Sequence, residues 1–199
     1  MLLPWPVVLA SASPRRQELL RRLVSEFAVD VADVDETPLE GDSPWQTAER
    51  LARLKAQAVR ARQIRSLVIS GDTVVAVPEK GSYLQLAKPA DEQNACDMLR
   101  KLSGRDHLVI TGVCLLGPGV EQTFSVTTTV TFRELTDEEI GAYVATGEPM
   151  DKAGAYAIQG GAAGFVTHCD GSLTNVIGFP VEEIRAALRG LLPGPGGPG

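Results

Sequence analysis

Seven charged positions break the local rules of an otherwise ordinary sequence. Arg15 and Arg16 follow Ser11-Ala12-Ser13-Pro14, a run that reads as a helix entry, with Ser13 able to cap and Pro14 suited to the first helical position. The start of a helix already carries about half a positive charge, so two arginines there either point into water or face an anion. In the second case, amide donors, serine hydroxyls and guanidinium forks together form a phosphate cradle. Asp72 interrupts the apolar run Val68-Ile69-Ser70-Gly71-Asp72-Thr73-Val74-Val75. Such a carboxylate is either satisfied by turn amides at a strand end or, if buried, paired or bound to a metal. Gly71 beside it would let another group approach the backbone closely.

Lys55 lies four residues after Leu51 and three before Ala58, on the inward stripe of a helical pattern. It either snorkels out or places its ammonium in a cleft facing negative charge. Lys88, before Pro89, is a weaker case of the same choice. Asp35-Glu36 precedes a loop rich in turn formers, where an acidic pair is either solvated or offers oxygen ligands to a hard cation. Taken together, these residues suit metal-assisted attack on a phosphate chain. Carboxylates would hold Mg²⁺ or Mn²⁺ and activate water, while Arg and Lys offset charge on the phosphates. No G-x-x-x-x-G-K-[ST] and no G-x-G-x-x-G after a strand is present, so neither a P-loop nor a dinucleotide fingerprint is involved.

The elements that must bring these residues together alternate between strand and helix. Strands are expected at 6–10, 27–34, 67–77, 83–87, 107–116 and 122–132, with a hairpin-like 165–173. Helices are expected from Pro14, over 45–65, 91–102, from a capping box at Thr136-Asp137-Glu138-Glu139 to near Gly147, and over 181–192. This order predicts an α/β fold with a mixed sheet. Residues 1–192 read as one domain, and the Pro/Gly tail 193–199, having nothing to bury, is expected to be disordered.

The chain of 199 residues, 44% hydrophobic and 22% charged, has the composition of a folded globular protein. It contains no apolar run long enough to span a bilayer and no positively charged leader, so a cytoplasmic protein with no membrane partner is expected. The net charge of -6 disfavours polymeric nucleic acid as a partner. Cys96, Cys114 and Cys169 are too few and too scattered for a disulfide framework or a structural zinc site.

The segment Leu9-Ala10-Ser11-Ala12-Ser13-Pro14-Arg15-Arg16-Gln17-Glu18-Leu19-Leu20 resembles the opening signature of the Maf family of nucleoside triphosphate pyrophosphatases. Ser70 to Val75, Lys88-Pro89, Leu102 to Arg105 and Asn175 to Pro180 resemble its other motifs, in the same order. The resemblance implies an elongated, two-lobed α/β fold with a deep cleft, similar to that of inosine triphosphate pyrophosphatases. It also implies hydrolysis of a nucleoside triphosphate to the monophosphate and pyrophosphate with a divalent metal, and a possible homodimer. Carried over by position, Ser11, Arg15 and Arg16 hold phosphates, and Glu36 and Asp72 serve the metal, with Asp72 the general base. Lys55 and Lys88 bind the phosphate chain.

Glu148 to Gly160, which includes Lys152, resembles the branch acting on dTTP and UTP. Gln159 suits base reading there, because its carboxamide offers both donor and acceptor to a pyrimidine edge. Two departures stand out: Ala87 replaces the usual Glu before Lys88-Pro89, and Gly160 to Gly164 differs slightly from the usual pattern. His107 and His168 match no catalytic role and read as structural or surface residues. The alternatives are a pyrophosphatase for 7-methyl-GTP or a modified purine, or a non-catalytic nucleotide-binding regulator of septum formation.

Overall fold

The apolar start of the chain folds as β1 (Val7–Leu9) and passes directly into α1 (Pro14–Arg21). In a computed structural model describing residues 3–192, Ser13 caps this helix through the Arg16 amide and Pro14 occupies its first turn. Leu19, Leu20 and Leu23 are buried beneath it. There follow β2 (Ala28–Val29), α2 (Pro44–Arg60), β3 (Leu67–Glu79), β4 (Ser82–Leu86) and α3 (Glu92–Leu102). Next come β5 (Asp106–Gly117), β6 (Val120–Phe132) and α4 (Asp137–Val144), whose Thr136 capping box forms as the sequence implied. Short 3-10 turns at Glu148–Asp151, Ala153–Ala155 and Gly161–Phe165 lead to β7 (Val166–Asp170), α5 (Leu173–Ile177) and α6 (Val181–Gly190). The tail 193–199 lies outside the described residues.

Seven strands form one mixed sheet in the order β2-β1-β3-β5-β6-β7, with β4 also paired to β3. β1 runs parallel to β2 and β3, and the remaining pairs are antiparallel. One edge of β3 is shared. Leu67 to Ile69 pair with β1, and Val75 to Glu79 pair with β4. Between them, Ser70 to Val74 have no sheet neighbour on that side, and the molecule opens there into a cleft.

Two apolar cores lie on either side of this gap. One joins β1, α1 and α6 to the first half of β3, around Leu9, Leu20 and Ile184. The other joins α3 and α4 to the second half of β3, around Leu99, Phe132 and Tyr143. They correspond to the two expected lobes. α2 covers the opposite face of the sheet. Its small residues Ala48, Ala52 and Ala56 are fully buried, and the helix approaches so closely that a Cβ on Gly112 would meet the Ala48 carbonyl at 2.3 Å.

Three expectations require correction. The strand expected over 27–34 shrinks to two exposed residues, because this chain runs along the sheet edge and little of it is buried. The helix expected over 45–65 begins at Pro44 and ends at Arg60. The expected hairpin at 165–173 is a single strand whose antiparallel partner is β6, after which Ser172 caps α5. No described helix is long and apolar enough to cross a membrane.

Candidate active site

The sheet gap opens into a cleft of about 950 Å³. Ser11, Arg15, Arg16, Glu36, Lys55 and Asp72 all line it, and so do Lys88, Lys152 and Gln159. Residues separated by more than a hundred positions in the chain therefore share one pocket. The structure assigns these residues different situations within it.

Lys55 projects from the inward face of α2, where Leu51 and Ala52 also point, and reaches β3. Its Nζ donates to Asp72 Oδ1 at 2.6 Å and contacts Glu36 Oε1 at 2.8 Å. Lys55 and Asp72 are each only 8% exposed, so Lys55 does not snorkel into water, and Asp72 lies inside β3 and not at a strand end among turn amides. Asp72 has its cation within reach, as burial of a carboxylate requires. Glu36 is half open to water. Burial pushes its carboxyl up, but the Lys55 bond and the charges of Lys55, Lys88 and Arg16 outweigh this and hold it below the usual glutamate range. Asp35, its neighbour, turns away; its carboxylate accepts from the Thr37 amide and hydroxyl at 2.9 and 2.6 Å.

Arg16 and Arg15 diverge. The half-buried Arg16 donates from Nε to the Gly178 carbonyl at 2.9 Å, and from its two terminal nitrogens to Ser11 Oγ at 3.3 Å and Thr73 Oγ1 at 3.1 Å. It thereby ties the start of α1 to β3 and to the end of α5. Gly178 has φ of +113°, a conformation suited to glycine at this helix end. Gly71 is also a site of close approach: a Cβ there would lie 3.3 Å from the Gly112 carbonyl and 3.5 Å from Arg16 Nε. Burial lowers the guanidinium pKa of Arg16, opposed by the charge of Asp72. Arg15 and the exposed Lys88 form no hydrogen bond or ion pair among the described residues, so both cations remain available to an anion in the cleft.

Lys152 contacts the Asp151 carboxylate and reaches the Glu148 carbonyl at 3.4 Å. Gln159 is exposed on the cleft wall, and its carboxamide bonds to no protein group among the described residues. His168 is exposed and His107 fully buried, both outside the cleft lining. Thr73, Tyr143 and Glu148 carry polar contacts at this site that the sequence reading did not single out. Thr73 had a usable signal, since it adjoins Asp72 and faces the other side of β3. The link between Tyr143 and Glu148 depends on tertiary turns and left none.

No described group of three His, Cys, Asp or Glu could by itself hold a metal. Glu36 and Asp72 nonetheless present hard oxygen donors on either side of one cation, the Lys55 ammonium. That donor set fits Mg²⁺ or Mn²⁺ provided substrate oxygens and water complete the coordination.

The architecture is that of the Ham1 proteins. A Ham1 protein from Staphylococcus aureus matches with a TM-score of 0.56 and 18% identity, over 93% of this chain and 98% of that one. One from Coxiella burnetii matches with a TM-score of 0.51 and 13% identity, over 95% and 100%. Residues 6–191 match the Maf-like protein family, and the chain belongs to it. A Koribacter versatilis relative, named a dTTP/UTP pyrophosphatase, is 49% identical over 92% of this chain and 93% of its own length. A relative of the same name from Geobacter sulfurreducens is 50% identical over 92% and 95%.

Proposed function

We propose that this protein is a cytoplasmic nucleoside triphosphate pyrophosphatase that hydrolyses dTTP and UTP to the monophosphate and pyrophosphate. The observation that carries the reading is the arrangement of the cleft. A buried Asp72 is held by Lys55, the Arg15 and Lys88 side chains nearby form no hydrogen bond or ion pair among the described residues, and the Gln159 carboxamide on the same wall bonds to none of them. The names of relatives about half identical to this chain supply the substrate class.

Arg15 and Lys88 bind the phosphate chain, aided by the start of α1 and by Lys152. Arg16 and Ser11 shape the floor of that cradle. Lys55 holds Asp72 through Oδ1, which leaves Oδ2 to accept a proton from the attacking water. The water oxygen bonds to the α-phosphorus, the bond from that phosphorus to the bridging oxygen breaks, and pyrophosphate leaves. Glu36 and Asp72 would hold a divalent cation, which when bound polarises phosphate oxygens and makes water more acidic. Gln159 meets the pyrimidine edge with one donor and one acceptor.

A substrate panel with Mg²⁺ or Mn²⁺, read out as product identity, tests this reading. dTTP and UTP should lead, giving monophosphate and pyrophosphate. A purine such as 7-methyl-GTP winning by more than about tenfold in kcat/KM, roughly 1.4 kcal/mol, would overturn the pyrimidine assignment. Background pyrophosphate release from every nucleotide would overturn catalysis altogether.

A further inference from the structure

Glu148 lines the cleft wall and Tyr143 lies outside the lining, and the bonds of the two converge on one short turn. Tyr143, buried at the end of α4, donates its hydroxyl to Glu148 Oε1 at 2.9 Å and accepts from the Ala157 amide at 3.1 Å. Both Glu148 carboxylate oxygens accept from the Gly161 amide at 3.2 Å. The turn closes on itself through the Gly160 amide and the Ala157 carbonyl at 3.0 Å. Two residues before Gln159 and two residues after it, the backbone is therefore held by the same tyrosine–carboxylate pair.

Glycine at 160 is what lets the carboxylate come so close. A Cβ there would stand 1.9 Å from Glu148 Oε1. Inside the turn, Ile158 packs against both cores, which fixes the turn from below. Gln159 itself is exposed and has no protein partner among the described residues, so its reach into the cleft depends on where its backbone is held.

We propose that Tyr143 and Glu148 are positioning residues for Gln159, clamping the 157–161 turn so that its carboxamide meets the base of the nucleotide. The inference rests on the reading of Gln159 as the base contact. Neither residue takes part in the chemistry at phosphorus. Loss of the clamp should weaken ligands that carry a base and spare those that do not, because a site this specific needs its backbone fixed to within about 0.5 Å.

The experiment compares wild type with Tyr143→Phe, Glu148→Gln, Gln159→Ala and the double variant Tyr143→Phe/Gln159→Ala. For each, kcat and KM for dTTP are measured together with calorimetric binding of dTMP and of inorganic pyrophosphate. Tyr143→Phe keeps the aromatic ring against Phe165, so the core remains filled. The proposal expects Tyr143→Phe to raise KM for dTTP and weaken dTMP by roughly five- to tenfold, the scale of one net hydrogen bond. It expects kcat and pyrophosphate binding to change less than about twofold, and the double variant to be no worse than Gln159→Ala alone. Glu148→Gln, which can keep the tyrosine bond but not both amide contacts, should fall between wild type and Tyr143→Phe.

If dTMP and pyrophosphate weaken equally in Tyr143→Phe, or if the two substitutions add, the clamp is merely structural and the proposal fails. If Gln159→Ala leaves dTMP binding unchanged, base reading by Gln159 fails first and takes the clamp with it. These two failures are distinct.

Discussion

Lys55 shows how one side chain can serve both folding and chemistry. Its ammonium touches two carboxylates, one buried and one half open to water. Replacing it in Lys55→Met would leave Asp72 with its closest cation removed. The expected loss of unfolding free energy, read as a lower midpoint of chemical denaturation, is about 2–3 kcal/mol, below the roughly 3–5 kcal/mol of a fully enclosed pair because the Glu36 side is solvated. An unchanged midpoint would mean that the two contacts contribute nothing to the fold.

His107 supplies an acid-sensitive point elsewhere. Its ring is fully buried, with Nε2 2.8 Å from the Tyr156 hydroxyl and edge-on contacts to Phe132 and Tyr156. Burial lowers its pKa to about 4, opposed by the smaller effect of the Asp106 charge and reinforced by that of Arg105. Because the folded value lies below the unfolded one of about 6.5, the neutral ring stabilises the fold above that pH. The contribution is lost as pH falls towards 4, amounting in the end to about 3 kcal/mol. Denaturation midpoints measured between pH 7 and 4 should show this slope in the wild type and lose that part of it in His107→Gln, which still bonds but does not titrate.

At the scale of elements, the cleft exists because β1 and β4 share one edge of β3 and stop short of each other. α2 completes it from the other face, and its closeness to the sheet is what allows Lys55 to reach Asp72. Gly112, opposite Asp72 in the β3–β5 register, permits that closeness. Gly112→Ala forces a methyl against the backbone of Ala48 and Glu49, which cannot swing aside as a side chain would. A loss of about 1–3 kcal/mol is expected by thermal melting, with a fall in activity as Lys55 is displaced; full stability and activity would show that the contact relaxes freely.

Much of this framework was legible beforehand. Ser13-Pro14, the Thr136 capping box and the long run of β3 carry their structure in local spacing, as does the inward stripe that placed Lys55. What was not legible depends on distant partners. β7 finds its neighbour in β6, and the bends over 148–165 have no period to read. β2 is exposed on the sheet edge, so its apolar letters reported no burial. At the site, the conflicts at Asp72, Lys55 and the paired arginines were visible because each broke a local rule. The division between an engaged Arg16 and a free Arg15 was not, since Gly178 and Thr73 are brought in by tertiary folding alone.

Across the whole molecule, two cores are joined by the continuous strands β3 and β5, and the polar residues collect where the sheet is left uncovered. The Maf-like family match spans nearly all of the described chain, and the fold is shared with Ham1 proteins despite identities below one fifth. Ala87 lines the cleft next to Lys88. In the proposed reaction Asp72 takes the proton from the attacking water while other groups hold the nucleotide. The direct measurement is Asp72→Asn, assayed for dTTP turnover and, by calorimetry, for dTTP binding. Turnover should fall by at least about a hundredfold, the contribution of a positioned base, while binding stays within a few-fold of wild type. Near-normal turnover in that variant would contradict the account.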